Sequence, residues 1–185
     1  IWDYSMRNVV EIKKRLKNSK VVRYVPAGYL ESNKFVLSER SKLIFFGAKQ
    51  WRPQYPAVKK KLKDKLVNIF NIWNIKDFNN LVKKDGVGIF LNLHKHNKCI
   101  CVEALRMSQL LSAGGLVISE RSHHLDEFLF KDFVIFTNDF EKEYNRLMSM
   151  SLQDRRNLAT KNLEKYKKEF SPRLIFERAK INEII

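Results

Sequence analysis

The chain has 185 residues, with 36 Lys and Arg against 20 Asp and Glu, a formal net charge of +16. At 44% hydrophobic and 12% aromatic it is not a disordered basic tail, which combines high charge with low hydrophobicity, and six Gly with four Pro exclude collagenous or low-complexity chains. No apolar run approaches the roughly 18–20 residues of a membrane span, and no basic-then-apolar signal segment opens the sequence.

In chain order, residues 1–20 place Val9, Val10, Ile12 and Leu16 among Lys and Arg in a helical pattern, and Val21 to Val25 reads as a short strand stopped by Pro26-Ala27-Gly28. Residues 31–42 are polar and read as a connector, so residues 1–42 are expected to be a linking segment with one short helix and one strand. Residues 43–185 are then expected to form the main domain. Leu43 to Phe46 is a continuous apolar run ending at Gly47, the pattern of a strand buried on both faces. A basic helix follows over 54–65, a second strand over 66–72, and a short helix over 76–84. Val87 to Leu93 predicts a third strand, 100–112 a helix broken by Gly114-Gly115, and Leu116 to Ser119 a fourth strand. Phe133 to Phe136 predicts a fifth strand. Helices are expected over 139–149 and 152–169, the second opening with Ser151-Leu152-Gln153-Asp154 like a capping box. Ser171-Pro172 supplies a cap and a first-turn Pro for a last helix through Leu174, Ile175 and Ala179.

Strands alternating with helices predict an α/β fold, a Rossmann-like parallel sheet flanked by helices. Ligands of such sheets bind at the carboxyl ends of the strands, which marks Gly47-Ala48, Asn71 to Trp73, Asn92 to His96, Ser119 to His124 and Thr137-Asn138. No Walker A, G-x-S-x-G or H-E-x-x-H pattern is present. The one G-x-G, Gly86 and Gly88, precedes a strand instead of following one, so it is not a dinucleotide fingerprint.

Two His and two Cys between His94 and Cys101 are zinc-type ligands, but their spacing matches no pair of pairs, and a strand-end loop entering a helix is the preferred reading. No metal site is assigned. Cys99 and Cys101 are too close for a disulfide framework, so a reducing, cytoplasmic compartment is the default.

Glu103 and Arg106, three apart, share a helix face near a strand end. A carboxylate there accepts sugar hydroxyls and a guanidinium clamps phosphate; the competing reading is a plain intrahelical ion pair. The small residues Gly47-Ala48, with Lys49 and Arg52 following, suit a phosphate at a helix start. Ser119, Glu120, His123 and His124 group hydroxyl, carboxylate and imidazole, although a loop His pair is more often polar surface.

The runs Leu91-Asn92-Leu93-His94, Glu103-Ala104-Leu105-Arg106 and Gly115-Leu116-Val117-Ile118-Ser119-Glu120, after Ile44-Phe45-Phe46-Gly47-Ala48, resemble the donor-binding, carboxy-terminal half of GT-B glycosyltransferases, most of all a bacterial and large-virus group. The opening Ile1-Trp2-Asp3-Tyr4-Ser5 with Pro26-Ala27-Gly28-Tyr29 is similar to the segment joining the two halves of such enzymes. The resemblance implies a domain that binds a UDP- or GDP-sugar as substrate, with no permanently bound cofactor. It implies donor contacts from Gly47, Ala48, Arg52, Asn92, His94, Glu103, Arg106, Ser119 and Glu120, with His94 and Glu120 as candidate catalytic groups. The acceptor would be a glycan, a lipid-linked molecule or a protein, and an amino-terminal acceptor domain would lie outside these residues. The family's pair of Glu eight apart is not met, since Cys101 stands eight before Gln109.

The positive charge also fits an anionic membrane face, where such an enzyme could dock peripherally, and nucleic acid. Residues 49–65 hold seven Lys or Arg against one Asp, but no RNP-like aromatic motif accompanies them. A basic nucleic-acid module, or a non-catalytic interaction domain of glycosyltransferase-like fold, are the alternatives, with nucleic acid ranked behind the nucleotide-sugar.

Overall fold

The structure is a computed structural model that describes residues 1–16, 22–69, 75–84, 86–95 and 101–180. Seven strands and eight α-helices are defined among them. They are β1 (Trp2–Asp3), α1 (Met6–Arg15), β2 (Arg23–Tyr24), β3 (Leu43–Phe46), α2 (Tyr55–Leu62), β4 (Leu66–Ile69), α3 (Ile75–Val82), β5 (Ile89–Asn92), α4 (Ala104–Ser112), β6 (Leu116–Glu120), α5 (His124–Phe130), β7 (Val134–Thr137), α6 (Phe140–Ser149), α7 (Leu152–Glu169) and α8 (Pro172–Arg178). The fold is α/β: five strands form one parallel sheet in the order β4-β3-β5-β6-β7, flanked by helices, as a Rossmann-like sheet is.

Side-chain alternation sends the strands' residues to two cores. Ile44, Phe90, Val117 and Val134 point to one face, under Leu81 of α3, Met107 and Leu110 of α4, Phe130 of α5 and Tyr166 of α7. Leu43, Phe45, Ile89, Leu91, Leu116 and Ile118 point to the other, under Val58 and Leu62 of α2 and Leu147 of α6. Burial on both faces is why these strands read as unbroken apolar runs instead of alternating ones.

The chain moves from β3 to β4 on one side, then crosses back to β5 on the other side of β3 and continues outward to β6 and β7. The winding therefore reverses between β3 and β5. At such a switch point the connections leave in opposite directions and open a crevice beyond the carboxyl ends of the strands.

Several expectations are refined. The basic helix ends at Leu62, because Lys63 adopts φ +48 and a 3-10 turn, Lys63–Lys65, takes over. Lys59 donates through Nζ to the carbonyls of Lys63 (2.6 Å) and Leu66 (2.7 Å), so one of the lysines caps the helix end. The helix expected from residue 100 starts at Ala104, after Glu103. Residues 70–72 of the expected second strand, the strand-end run Asn71 to Trp73, and His96 with Cys99 lie outside the described residues. The Ser151 and Ser171 caps are found: Ser151 Oγ accepts from Asp154 N at 3.0 Å and Ser171 Oγ from Leu174 N at 3.4 Å.

The expected loop at His123-His124 is a correction. His123 is the cap of α5, accepting from Leu125 N through Nδ1 at 3.3 Å. The helix was hidden because two of its three buried positions, Asp126 and Glu127, are carboxylates while Phe128 is exposed, which breaks the amphipathic pattern. Asp126 reaches α1: Oδ1 accepts from Met6 N (2.9 Å) and Arg7 N (3.4 Å), and Oδ2 from Ser5 Oγ (3.0 Å). Glu127 accepts from Ser122 N at 2.5 Å and pairs with Arg121 at 2.8 Å. Thus α5 buries its acids to satisfy other elements' donors.

Residues 1–42 hold the expected helix and strand, α1 and β2, together with β1, which pairs in parallel with β2. The segment Ala27-Gly28-Tyr29 packs against α4, α7 and α8. Tyr29 N donates to Phe170 O at 2.7 Å, Tyr166 Oη to Ala27 O at 2.9 Å, and Ser108 Oγ to Gly28 O. A Cβ on Gly28 would lie 2.9 Å from Ile175 Cδ1 and 3.1 Å from Phe170 O, which explains a glycine at this docking point.

Candidate functional site

The carboxyl ends of β3 and β5 and the start of α4 bring the predicted residues together. At the centre, the Glu103 carboxylate joins two guanidiniums. Arg52 donates to it bidentately, Nη1 to Oε1 at 2.5 Å and Nη2 to Oε2 at 3.2 Å, and Arg106 Nη1 lies 2.6 Å from Oε2. Arg52 is 6% exposed, and the Glu103 and Arg106 side chains retain 24% and 18%. Two cations share one anion, so the cluster carries a formal surplus of one positive charge in a mostly dry setting. Burial pushes the Arg106 guanidinium below the usual arginine range, Glu103 opposes that shift, and Arg52 adds to it. The sequence left an intrahelical pair and a ligand clamp as equal readings of Glu103 and Arg106. The pair exists, and Arg52 makes it a three-residue cluster.

From Arg106 the network continues across the sheet. Arg106 Nη1 donates to Asn92 Oδ1 at 3.2 Å, and Asn92 Nδ2 to Ser119 Oγ at 3.0 Å. Ser119 Oγ then donates to Glu120 O at 3.0 Å. Asn92 and Ser119 are register partners on β5 and β6, which is why both polar side chains meet while fully buried. A chain of hydrogen bonds thus fixes Arg106 from the sheet side.

Gly47 closes the other side. Its φ is +151, and a Cβ there would stand 3.4 Å from Arg106 Nη2, so glycine gives both the turn and the room for the guanidinium. Asn68 on β4 holds this turn by donating Nδ2 to Gly47 O at 3.0 Å. The signal for Asn68 was its polarity within an apolar strand run, which sequence reading passed over. Ala48 caps the 3-10 turn Lys49–Trp51 that delivers Arg52 to the cluster.

His94 and Glu120 form a second, adjacent group. His94 N donates to Glu120 Oε2 at 3.0 Å, and His94 Nε2 lies 2.9 Å from Arg121 O and 3.2 Å from Ser122 Oγ. A carbonyl only accepts, so Nε2 is the donor in this contact. His94 Nδ1 is buried with no hydrogen-bond partner, as is Arg52 Nε. The His94 ring is thus held against the loop after β6, and among the described residues no hydrogen bond joins it to Arg52 or Arg106. Of the other strand-end residues, Thr137 Oγ1 accepts from Asp139 N ahead of α6, and His123 and His124 belong to α5.

Among the described residues no group of three or more His, Cys, Asp or Glu converges as metal ligands would. No helix among them is long and apolar enough to cross a membrane. A cavity of about 380 Å³ floored by Val9, Val22, Phe170 and Ile175, and one of about 360 Å³ beneath α7, lie away from the arginine cluster. No protein-family model matches the chain, and comparison with curated proteins finds no significant match.

Proposed function

We propose that this domain is the donor-binding half of a glycosyltransferase, holding the diphosphate of a UDP- or GDP-sugar in the crevice between β3 and β5. The observation that carries this reading is the Arg52–Glu103–Arg106 cluster at the switch point, with Arg52 buried and its partners largely so. Paired guanidinium forks are suited to phosphate oxygens, and a surplus positive charge at low exposure attracts a diphosphate more strongly than the same charge in water. The likeness of Glu103-Ala104-Leu105-Arg106 and Val117-Ile118-Ser119-Glu120 to the glycosyltransferase motifs supports the same reading.

In transfer, the bond from the anomeric carbon to the diphosphate oxygen breaks and negative charge collects on the leaving diphosphate. Arg52 and Arg106 would stabilise that charge without reorganising, because Glu103 and Asn92 already orient them. His94 and Glu120 remain the candidates for work at the sugar. His94 Nδ1 has no partner within the protein, which leaves that nitrogen for a substrate hydroxyl. The acceptor, whether glycan, lipid-linked molecule or protein, would be presented by a further acceptor-binding unit. The lysine-rich surface would allow peripheral docking on an anionic membrane.

The test is a thermal-shift titration of the 185-residue chain with UDP- and GDP-sugars. A ligand at 100 times its Kd should stabilise the fold by about 2.7 kcal/mol, and Arg106→Lys should lose most of the shift because lysine has no fork. No shift with any nucleotide-sugar at millimolar concentration would overturn the reading.

A further inference from the structure

Trp51 is an exposed aromatic residue just beyond the carboxyl end of β3. It closes the 3-10 turn after β3, is 56% exposed, and immediately precedes the buried Arg52. Lys95, exposed just beyond β5, places Nζ 5.9 Å from the Trp51 ring centroid. A ring and an ammonium therefore reach each other from the two strands that flank the switch point.

Single exposed apolar side chains are ordinary, so exposure alone says nothing. What distinguishes Trp51 is its setting. Phosphate by itself has no use for an indole face, and a neutral ring has no use for two buried guanidiniums. A flat base joined to phosphates uses both. The ammonium sits near the outer limit of cation–π attraction, so a stacked ring can displace it, and the freed lysine then faces phosphate.

We propose that Trp51 is the stacking platform for the heterocyclic base of a nucleotide, with the phosphates on Arg52 and Arg106 and Lys95 turning from the ring to meet them. This rests on the reading of the crevice as a diphosphate site. It adds that the indole is what makes the site prefer nucleotides to bare pyrophosphate.

The experiment is calorimetric titration of wild type, Trp51→Ala and Trp51→Phe with UDP, GDP and inorganic pyrophosphate, with ligand-free melts confirming that each variant folds. Wild type should bind a nucleoside diphosphate more tightly than pyrophosphate. Trp51→Ala should raise the nucleoside diphosphate Kd about ten-fold or more while leaving pyrophosphate within two-fold, and Trp51→Phe should recover most of the loss. Equal losses for both ligands would overturn the proposal, leaving Trp51 as a spacer that sets the turn before Arg52. So would unchanged nucleoside diphosphate binding. Pyrophosphate binding with no preference for nucleotides would remove this inference alone. A wild type blind to pyrophosphate and nucleotides alike would remove the diphosphate site as well.

Discussion

Replacing Glu103 by Gln separates the two things this carboxylate does. In the ligand-free domain it is the shared counter-ion of Arg52 and Arg106, at 2.5 and 2.6 Å. The variant keeps the size of the side chain and removes the charge, leaving two mostly buried cations facing each other. Removing one partner of a fully buried pair costs about 3–5 kcal/mol; Glu103 keeps a quarter of its exposure, so we expect about 2–4 kcal/mol here. For a chain of this size that lowers the Tm by about 5–15 °C. The substitution is therefore not silent for the fold, as an intrahelical surface pair would be. Added pyrophosphate should stabilise the variant more than wild type, because no internal carboxylate then competes for the guanidiniums. Binding of nucleotide-sugars should lose its advantage over pyrophosphate if Glu103 also accepts sugar hydroxyls. Circular-dichroism melts with and without pyrophosphate make the measurement. A fall below about 2 °C, or equal stabilisation of both proteins by pyrophosphate, would refute the account of Glu103 as a counter-ion in an anion site.

Two further predictions concern the frame around the site. Asp126→Ala strips the amino end of α1 of the carboxylate that binds Ser5 Oγ, Met6 N and Arg7 N, and α1 has no acidic residue of its own in its first turn. A loss of about 2–3 kcal/mol is expected, with faster hydrogen exchange at the α1 amides; unchanged protection there would contradict the capping role. Burial pushes the Tyr166 hydroxyl up to about 12 from its ordinary 10. Because the folded value is raised, the associated stability is complete below pH 10 and is lost as pH rises toward 12, amounting to about 2–3 kcal/mol. Denaturant unfolding of wild type and Tyr166→Phe between pH 9 and 12 should show the steeper decline in wild type; parallel curves would contradict it.

Much of this protein was determined by its sequence alone. The runs Leu43 to Phe46, Ile89 to Leu91 and Leu116 to Ile118 are apolar without alternation, the pattern of a strand covered on both faces. Ser151 and Ser171 named their helices because a cap is a local bond. The residues at the strand ends were also legible, since position at a strand end follows from the order of elements. What the sequence could not contain was the partner of each charge. Glu103 and Arg52 are 51 positions apart, and only the crossing from β4 back past β3 to β5 brings their elements side by side. Helix α5 was invisible for the same reason. Asp126 is buried because donors from Ser5 and Met6 await it, and no local pattern reports a donor 120 residues away. Local propensity and apolar periodicity wrote the elements into the sequence. The tertiary structure decided which charges meet, and so joined two arginines distant in sequence to one carboxylate.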